Sequence, residues 1–237
     1  MNTIKQTIKK SLALIGIGVH RVERGRPDVP RAYSVRYSPL EYNTKEAGEE
    51  VYSDSKRVRK YIDSERLRFY EEVANLTYEK RVDCDDKHVA DVGCGTGHLL
   101  LAIKRRFHPS SMTGIDYVEG ALRIARDTVP EGVFCNDNLL NPGRQYEYDV
   151  VFCTEVLEHI LQAHRALANL VDMVKRPGVA ILTVPDGRKD TYAGHVNFWS
   201  PESWPIFLEE VCTEYDVEIG RMKYSEKLFA IIRLGCT

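Results

Sequence analysis

Short apolar runs of four to eight residues alternate along this chain with segments in which apolar positions recur every three or four residues. The short runs predict β-strands and the longer segments predict helices. The seven predicted strands lie at residues 89–92, 112–117, 133–136, 148–153, 179–185, 215–222 and 227–234. Because helix-length segments separate most of these strands, the pattern predicts a mostly parallel sheet with helices on both faces.

The connection between the last two predicted strands is much shorter than the others. Residues 223–226 are too few for a crossover, so the final strand must run antiparallel to its neighbour. Upstream, residues 54–79 show one continuous helical pattern, and a turn at residues 175–178 precedes the fifth strand. We therefore expect an α/β fold with seven strands, a reversed last strand and an N-terminal helical extension.

A glycine-rich stretch directly follows the first predicted strand. The strand ends near Asp91, and Gly93, Gly95 and Gly97 follow at alternate positions. Glycines let the backbone turn sharply and approach a ligand, while the free N–H groups of the next helix face that ligand. The stretch lacks the Lys-Ser/Thr of a phosphate loop and has a different spacing from nicotinamide binders. Asp91 would repel a pyrophosphate but suits an ammonium or sulfonium group.

Acidic residues also end the next two predicted strands. Asp116 lies about 20 residues beyond the glycines, where a carboxylate can accept hydrogen bonds from ribose hydroxyls, and Asp137 ends the third strand. This arrangement resembles the class I S-adenosylmethionine-dependent methyltransferases, whose first motif is acidic-x-Gly-x-Gly-x-Gly. The resemblance implies a Rossmann-like fold and this cofactor, with Asp137 facing the adenine amino group. The implied cofactor-binding residues are Asp91, Gly93, Cys94, Gly95, Gly97, Asp116, Tyr117, Asn136, Asp137, Asn138 and Thr154.

Candidate catalytic residues cluster after the fourth strand and on the loop after the fifth. An alcohol acceptor must lose its proton during methyl transfer, so a base or a metal ion would assist. Glu155, His159 and His195 are the catalytic candidates, and together with Glu158 they form an oxygen and nitrogen set suited to Mg²⁺ or Mn²⁺. The pattern resembles the small-RNA 3′-end 2′-O-methyltransferases, and its first half resembles the ubiquinone-biosynthesis O-methyltransferases. A metal-free histidine base and a purely structural role remain open.

Composition agrees with one α/β domain and an appendage. The chain has 237 residues, 43% of them hydrophobic, and we place the boundary between residues 1–53 and 54–237. A sequence pI near 6.4 and the absence of a basic stripe on the core argue against nucleic-acid binding. Six cysteines without Cys-x-x-Cys spacing predict reduced thiols and a cytoplasmic protein.

The N-terminal segment is basic and amphipathic. Apolar positions recur at three- to four-residue steps within residues 3–19, with Lys5 and Lys9 off that stripe. Such a helix can lie in the headgroup region of an anionic membrane, which would place the protein peripherally at the inner membrane. Docking on the domain, or on a second subunit in a homodimer, is the alternative. The segment also resembles the short leaders of bacterial polysaccharide-cluster methyltransferases.

The leading functional hypothesis is therefore an O-methyltransferase for a sugar hydroxyl in polysaccharide or other glycan biosynthesis. Its acceptor is a small molecule or a glycan. The aromatic residues proposed to stack on a sugar ring are Tyr192, Phe198, Trp199 and Trp204. The alternatives are an RNA ribose 2′-O-methyltransferase, a natural-product or quinone O-methyltransferase, and a non-catalytic cofactor-binding partner protein. A scaffold role would leave function unchanged when His159 and His195 are replaced.

Overall fold

The computed structural model describes residues 39–143 and 147–235. The predicted amphipathic segment at residues 3–19, and with it the membrane and dimer predictions, lies outside these ranges. The helices are α1 (Pro39–Tyr42), α2 (Lys45–Ser53), α3 (Ser55–Val58), α4 (Ser64–Glu79), α5 (His98–Arg106), α6 (Glu119–Thr128), α7 (Ala163–Asp172) and α8 (Ser203–Cys212). The strands are β1 (His88–Val92), β2 (Ser111–Asp116), β3 (Val133–Asn136), β4 (Tyr148–Thr154), β5 (Val174–Val184), β6 (Asp216–Arg221) and β7 (Leu228–Leu234). Short 3-10 turns occupy Arg59–Tyr61 and Leu157–His159.

The seven strands form one sheet in the order β3-β2-β1-β4-β5-β7-β6. Strands β1 to β5 pair in parallel, and β7 runs antiparallel to both β5 and β6. The predicted mostly parallel sheet with a reversed last strand is confirmed. The strand order changes direction between β1 and β4, which is where open α/β sheets form a crevice for ligands.

The hydrophobic core lies on both faces of the sheet. Successive residues of β4 alternate between the faces, with Phe152 on one side and Cys153 on the other. Phe152 packs in a cluster with residues of α4 and α5, and Cys153 in a cluster with residues of α7 and α8. The five described cysteines are buried free thiols, as expected, and Cys236 lies outside the described residues. No helix in the described ranges is both long enough and apolar enough to span a bilayer.

The single long helix predicted over residues 54–79 is wrong, because the structure divides it into three pieces. Asp54 and Asp63 each act as an N-cap, and their carboxylates accept hydrogen bonds from the backbone N–H groups of Lys56 and Arg66, both at 2.8 Å. Aspartate favours such caps over helix interiors because its side chain competes for the backbone N–H groups. After the break, α4 packs its apolar side chains into the core, whereas Arg57 of α3 lines the cavity described below.

The turn predicted at residues 175–178 lies within β5 (Val174–Val184), where it interrupts the pairing of the strand. Strand β4 pairs with Val174 and next with Val179, with a register shift between these pairs, and the pairing with β7 begins at Gly178. Proline and glycine favour such an irregular backbone locally. The strand is nevertheless longer than the apolar run that predicted it.

Candidate functional site

The glycine-rich loop after β1 has the backbone shape that only glycine adopts without strain. Gly93, Gly95 and Gly97 have φ angles of 76°, 49° and 78°. A Cβ atom on Gly93 would lie 2.3 Å from Cγ2 of Val156, so this position also requires the missing side chain. The N–H of Gly93 donates to the carbonyl of Ile115 at 2.7 Å, which holds the loop against β2. Gly97 then begins α5.

A cavity of about 1350 Å³ opens at the carboxyl ends of the parallel strands. All of the cofactor-binding residues proposed from the sequence line it except Gly97 and Asn136. Gly97 is the residue before α5. The side-chain oxygen of Asn136 accepts a hydrogen bond from Lys45 Nζ at 3.4 Å, and its side-chain nitrogen donates to the carbonyl of Asp116 at 3.4 Å.

Two acidic side chains dominate one half of this cavity. Asp91 is almost fully buried, and no hydrogen bond reaches its Oδ1 atom from the described residues. Burial, with a smaller contribution from Asp116, raises the pKa of Asp91 to about 8. Asp116 accepts hydrogen bonds from the N–H groups of Gly95 at 3.0 Å and Val118 at 2.9 Å, and burial raises its pKa too. Both carboxylates are suited to a cationic, hydroxyl-bearing ligand.

Helix α2 covers the same half of the cavity. Glu49 accepts hydrogen bonds from the N–H groups of Glu119 at 2.9 Å and Gly120 at 3.0 Å, the first residues of α6. A Cβ on Gly95 would lie 3.3 Å from the hydroxyl of Tyr52, so this tyrosine sits directly over the glycine loop. The half of the cavity that contains Asp91 and Asp116 is thus covered by residues that precede the sheet in the sequence.

Three of the four proposed metal ligands converge at the other end of the cavity. Each of these three residues, Glu158, His159 and His195, offers one potential ligand atom, and the three atoms lie within 4.8 Å of one another. The loop that carries His195 is anchored to the 3-10 turn, because the N–H groups of Val196 and Asn197 donate to the carbonyl of Glu158 at 2.8 and 3.1 Å. This docking brings the two histidine rings to 4.6 Å between centroids.

The hydrogen-bond partners of both histidines set which ring nitrogen is free. Nδ1 of His159 faces two acceptors, the side-chain oxygen of Asn43 at 3.1 Å and the carbonyl of Gly194 at 3.3 Å. Nδ1 of His195 contacts the carboxylate of Asp190. Nδ1 therefore carries the proton in each ring, and Nε2 is left to accept a proton or bind a metal.

The electrostatics of this cluster fit a bound cation. Glu158 is 1% exposed, and neither carboxylate oxygen has a hydrogen-bond partner among the described residues. Burial, and then the neighbouring Glu155, raises the pKa of Glu158 well above its usual value. Burial, and then His195, lowers the pKa of His159 to about 4, so the ring is neutral near pH 7. One carboxylate and two imidazole rings form a donor set that divalent ions accept.

Glu155 departs from its predicted place in the metal set. Its carboxylate forms an ion pair with Lys227 and accepts a hydrogen bond from the hydroxyl of Thr183 at 3.2 Å. Its φ angle of 58° lies in the left-handed region, which is rare for residues other than glycine and often marks functional sites. The side chain therefore lines the cavity, but it does not join the cluster of Glu158, His159 and His195.

The four aromatic residues proposed to stack on a sugar ring separate into two pairs. Trp199 and Trp204 are 8% and 0% exposed and pack with Phe207, so they are core residues rather than ligand contacts. Tyr192 and Phe198 are about half exposed, and of these two only Tyr192 lines the cavity. Large aromatic rings are commonly buried when neighbouring apolar side chains can pack around them, as Phe207 of α8 does around these two tryptophans.

Three site residues were missed by reasoning from the sequence. Asn43 and Asp190 orient the two histidines, and Arg66 lines the cavity from α4. Asp190 lies five residues before His195, a spacing that could have suggested a carboxylate–histidine pair. Asn43 and Arg66 carry no local signal, because they reach the site from segments far away in the sequence.

The comparisons with known proteins agree with this architecture. A family model described as a methyltransferase domain matches residues 58–216. The ubiquinone biosynthesis O-methyltransferase of Rickettsia bellii (strain OSU 85-389) is 26% identical over 159 residues, which are 60% of this chain and 65% of that protein. The protein of the same name from Rickettsia akari (strain Hartford) is 28% identical over 153 residues, 57% and 60% of the two chains. The chain thus spans less than two thirds of these curated relatives.

Solved structures share the fold at low sequence identity. An N-methyltransferase of Bradyrhizobium japonicum in complex with S-adenosyl-L-homocysteine superposes with a TM-score of 0.62 at 18% identity, covering 81% of this chain and 98% of its own. The magnesium protoporphyrin IX methyltransferase of Synechocystis with bound S-adenosylmethionine superposes with a TM-score of 0.59 at 17% identity, covering 82% and 93%. The sheet and its surrounding helices are therefore common to these proteins.

Proposed function

The chain belongs to the family of methyltransferase domains, and we propose that it is an S-adenosylmethionine-dependent O-methyltransferase for an acceptor with neighbouring hydroxyl groups. The observation that carries this proposal is the buried cluster of Glu158, His159 and His195 at one end of the cavity. A methyltransferase acting on a thiolate or a carbanion has little use for such a cluster, because those acceptors lose no hydroxyl proton.

The acidic half of the cavity suits the cofactor. Asp116 lies at the end of β2, where a carboxylate can bind ribose hydroxyls, and Asp91 provides a buried carboxyl group whose ionised form a cationic ligand would stabilise. Tyr52 and α2 cover this half and limit the access of water. Bound S-adenosylmethionine supplies the methyl group, and the protein's task is to hold it in line with the acceptor oxygen.

The opposite half suits the acceptor hydroxyl. Glu158, His159 and His195 would hold a divalent ion such as Mg²⁺ or Mn²⁺, with Asp190 and Asn43 fixing the ring orientations behind them. Such an ion, when bound, lowers the pKa of a hydroxyl that it contacts. The free Nε2 atoms also allow either histidine to take the proton directly, which keeps the metal-free base as the competing mechanism.

The acceptor is better matched to a catechol or quinol ring than to a glycan. Only Tyr192 remains at the cavity from the four residues proposed to stack on a sugar, and the relatives named above are ubiquinone biosynthesis enzymes. A sugar diol has the same pair of neighbouring hydroxyls. Direct comparison of 3,4-dihydroxybenzoate and sugar acceptors therefore separates the two.

We expect Mn²⁺ to raise the melting temperature of the protein in the presence of S-adenosylhomocysteine, because a ligand that binds only the folded state stabilises it. The His195→Ala and Glu158→Gln variants should lose the Mn²⁺ shift but keep the shift caused by S-adenosylhomocysteine. The matched control is His164→Ala, since His164 lies half exposed on α7 in an ion pair with Glu210. Differential scanning fluorimetry measures all four proteins.

Two outcomes would contradict different parts of this proposal. No response to S-adenosylhomocysteine would reject the methyltransferase activity itself. A cofactor response without any Mn²⁺ shift, or an equal Mn²⁺ shift in His195→Ala, would reject the metal site and favour a histidine base.

A further inference from the structure

The segment before α4 extends over both ends of the cavity, and we call its residues 41–61 the cover. At one end the hydroxyl of Tyr52 lies over the glycine loop, where a Cβ on Gly95 would be 3.3 Å from it. At the other end the side chain of Asn43 contacts the ring of His159. One short stretch of chain therefore touches both the proposed cofactor site and the proposed site of the acceptor hydroxyl.

The cover contributes no side chain to the hydrophobic core. None of residues 41–61 is buried, and the first buried residue after them is Phe69 of α4. Glu49 fastens the cover to α6 through two hydrogen bonds, and the cavity of about 1350 Å³ lies beneath it. An element that buries few apolar contacts is among the first parts of a protein to open. A ligand that fills the cavity and contacts the cover should hold it closed.

The side-chain amide of Asn43 joins the cover to the loop that carries His195. Its nitrogen donates to the carbonyl of Gly194 at 2.8 Å, and its oxygen faces Nδ1 of His159 at 3.1 Å. The hydrogen bonds to the carbonyl of Glu158 attach this loop after His195, whereas the amide attaches it before His195. The position of the cover thus bears on both the loop and the tautomer of His159.

The part of the loop before its attachment to the 3-10 turn, residues 190–195, is called the loop tip here. It contains internal hydrogen bonds, such as the one from the N–H of Tyr192 to the carboxylate of Asp190 at 3.0 Å. Such bonds shape the tip but do not attach it to the rest of the protein. The ring of Tyr42 in the cover lies 6.4 Å from that of Tyr192, which adds a second contact beside Asn43.

We propose that Asn43 is a positioning residue through which cofactor binding orders the loop tip and the ring of His159. This inference rests on the proposed function, because it takes S-adenosylmethionine as the ligand beneath the cover. The bound cofactor holds the cover closed, and the closed cover keeps the amide of Asn43 on Gly194 and His159. The acceptor end is then assembled once the cofactor has bound, and each ligand strengthens the binding of the other by the same factor.

Hydrogen exchange of the full chain, measured by mass spectrometry without added metal, tests this coupling independently of turnover. Exchange is compared with and without saturating S-adenosylhomocysteine in three peptides, which contain the glycine loop at residues 93–97, helix α2 and the loop tip. In the native protein the ligand should slow exchange in all three peptides. At the loop tip the effect should be about fivefold or more, as is typical of coupled sites.

Asn43→Ala should keep the slowing at the glycine loop and reduce it at the loop tip to less than about twofold. Asn43→Asp should lose it as well, because a carboxylate can accept from His159 but cannot donate to the carbonyl of Gly194. The matched control is Asn75→Ala, which removes an exposed amide on α4 outside this cavity and should behave as the native protein does.

A purely structural role of Asn43 would change exchange at the loop tip equally with and without the ligand, and this result would overturn the proposal. So would an unchanged loop tip in the native protein when the glycine loop is protected. Absence of protection at the glycine loop would reject the proposed cofactor and the coupling together. Methyl transfer to 3,4-dihydroxybenzoate is scored separately. Its failure beside Asn43-dependent protection would reject the proposed acceptor and leave the coupling standing.

Discussion

Two buried carboxyl groups line the cavity at positions where burial opposes their ionised form. Asp91 and Glu158 are both nearly inaccessible, and burial raises the pKa of each. An ionised carboxylate without a partner is expensive inside a protein, so such residues persist where a ligand supplies the missing charge. One lies in the cofactor half of the cavity and the other in the acceptor half.

Replacement of Asp91 by asparagine should change the pH dependence of stability in the unliganded protein. In the folded protein the pKa of Asp91 is about 8, which is above the ordinary value of an aspartate in the unfolded chain. The contribution of this raised pKa to the free energy of unfolding is therefore fully present at any pH below that ordinary value. It is lost as the pH rises toward 8, by up to about 1.4 kcal/mol per pH unit. Asp91→Asn should therefore gain stability relative to the native protein between pH 5 and pH 8, in urea unfolding.

The same variant should respond less to S-adenosylhomocysteine, because the buried charge for the cofactor is gone. The control is Asp127→Asn, which changes an exposed carboxylate on α6. Parallel pH profiles for Asp91→Asn and the native protein would show that Asp91 is ionised in the folded protein throughout this range.

At the scale of elements, the site depends on contacts between segments that are distant in sequence. Helix α2 packs so closely on the start of α6 that a Cβ on Gly48 would lie 2.5 Å from Cγ2 of Val118. Glu49 then places its carboxylate at the N-terminus of α6, where the helix dipole and two free N–H groups favour a negative charge. This contact holds the cover over the cofactor half.

Removal of that contact should loosen the cover and weaken cofactor binding. Glu49→Ala should lower the free energy of unfolding by about 1 to 2 kcal/mol, as for the loss of a helix cap, and raise the Kd for S-adenosylhomocysteine several-fold. Calorimetry and urea unfolding measure the two effects. The control is Glu50→Ala, which changes another glutamate of α2, an exposed ion-pair partner of Arg57. It should have little effect on the free energy of unfolding or on the Kd. Equal effects of the two variants would mean that the cap does not hold the cover.

For the whole molecule, the sheet separates two apolar clusters, and residues of both clusters, such as Ile115 and Phe69, line the cavity at the carboxyl ends of the strands. The cluster against α7 and α8 contains Trp204, which is fully buried, stacks on Phe207 and donates from its indole nitrogen to the carbonyl of Phe229 at 3.4 Å. The loop that carries His195 is attached to this cluster through Trp199. Core packing therefore supports the position of His195 from below.

Trp204→Ala should destabilise the protein by about 3 to 5 kcal/mol, in keeping with other large aromatic truncations in cores. Phe198→Ala, which truncates a half-exposed ring on the preceding loop, should cost much less. Urea unfolding provides the comparison, and Trp204→Phe serves as the milder variant if the alanine protein does not fold. A similar cost for Trp204 and Phe198 would contradict the assignment of Trp204 to the core.

The sequence by itself determined the sheet and the cofactor half of the cavity. Apolar runs, the alternate glycines and the acidic residues at Asp91, Asp116 and Asp137 are local features whose structural consequences follow from backbone geometry. Parallel strands bring their carboxyl ends to one edge, so residues that follow different strands meet there without further information. The same reasoning placed Glu158, His159 and His195 near each other.

Only the tertiary structure decided which partner each polar side chain found. Glu155 looked equivalent to Glu158, yet Lys227 from the connection before β7 pairs with it and leaves Glu158 to the histidines. Asn43 and Arg66 line the cavity from segments that precede the sheet, and the helix that carries Arg66 begins after the Asp63 cap, inside the single helix that the pattern predicted. Backbone pattern is a local property, whereas charge pairing and burial depend on which distant residues the fold brings together.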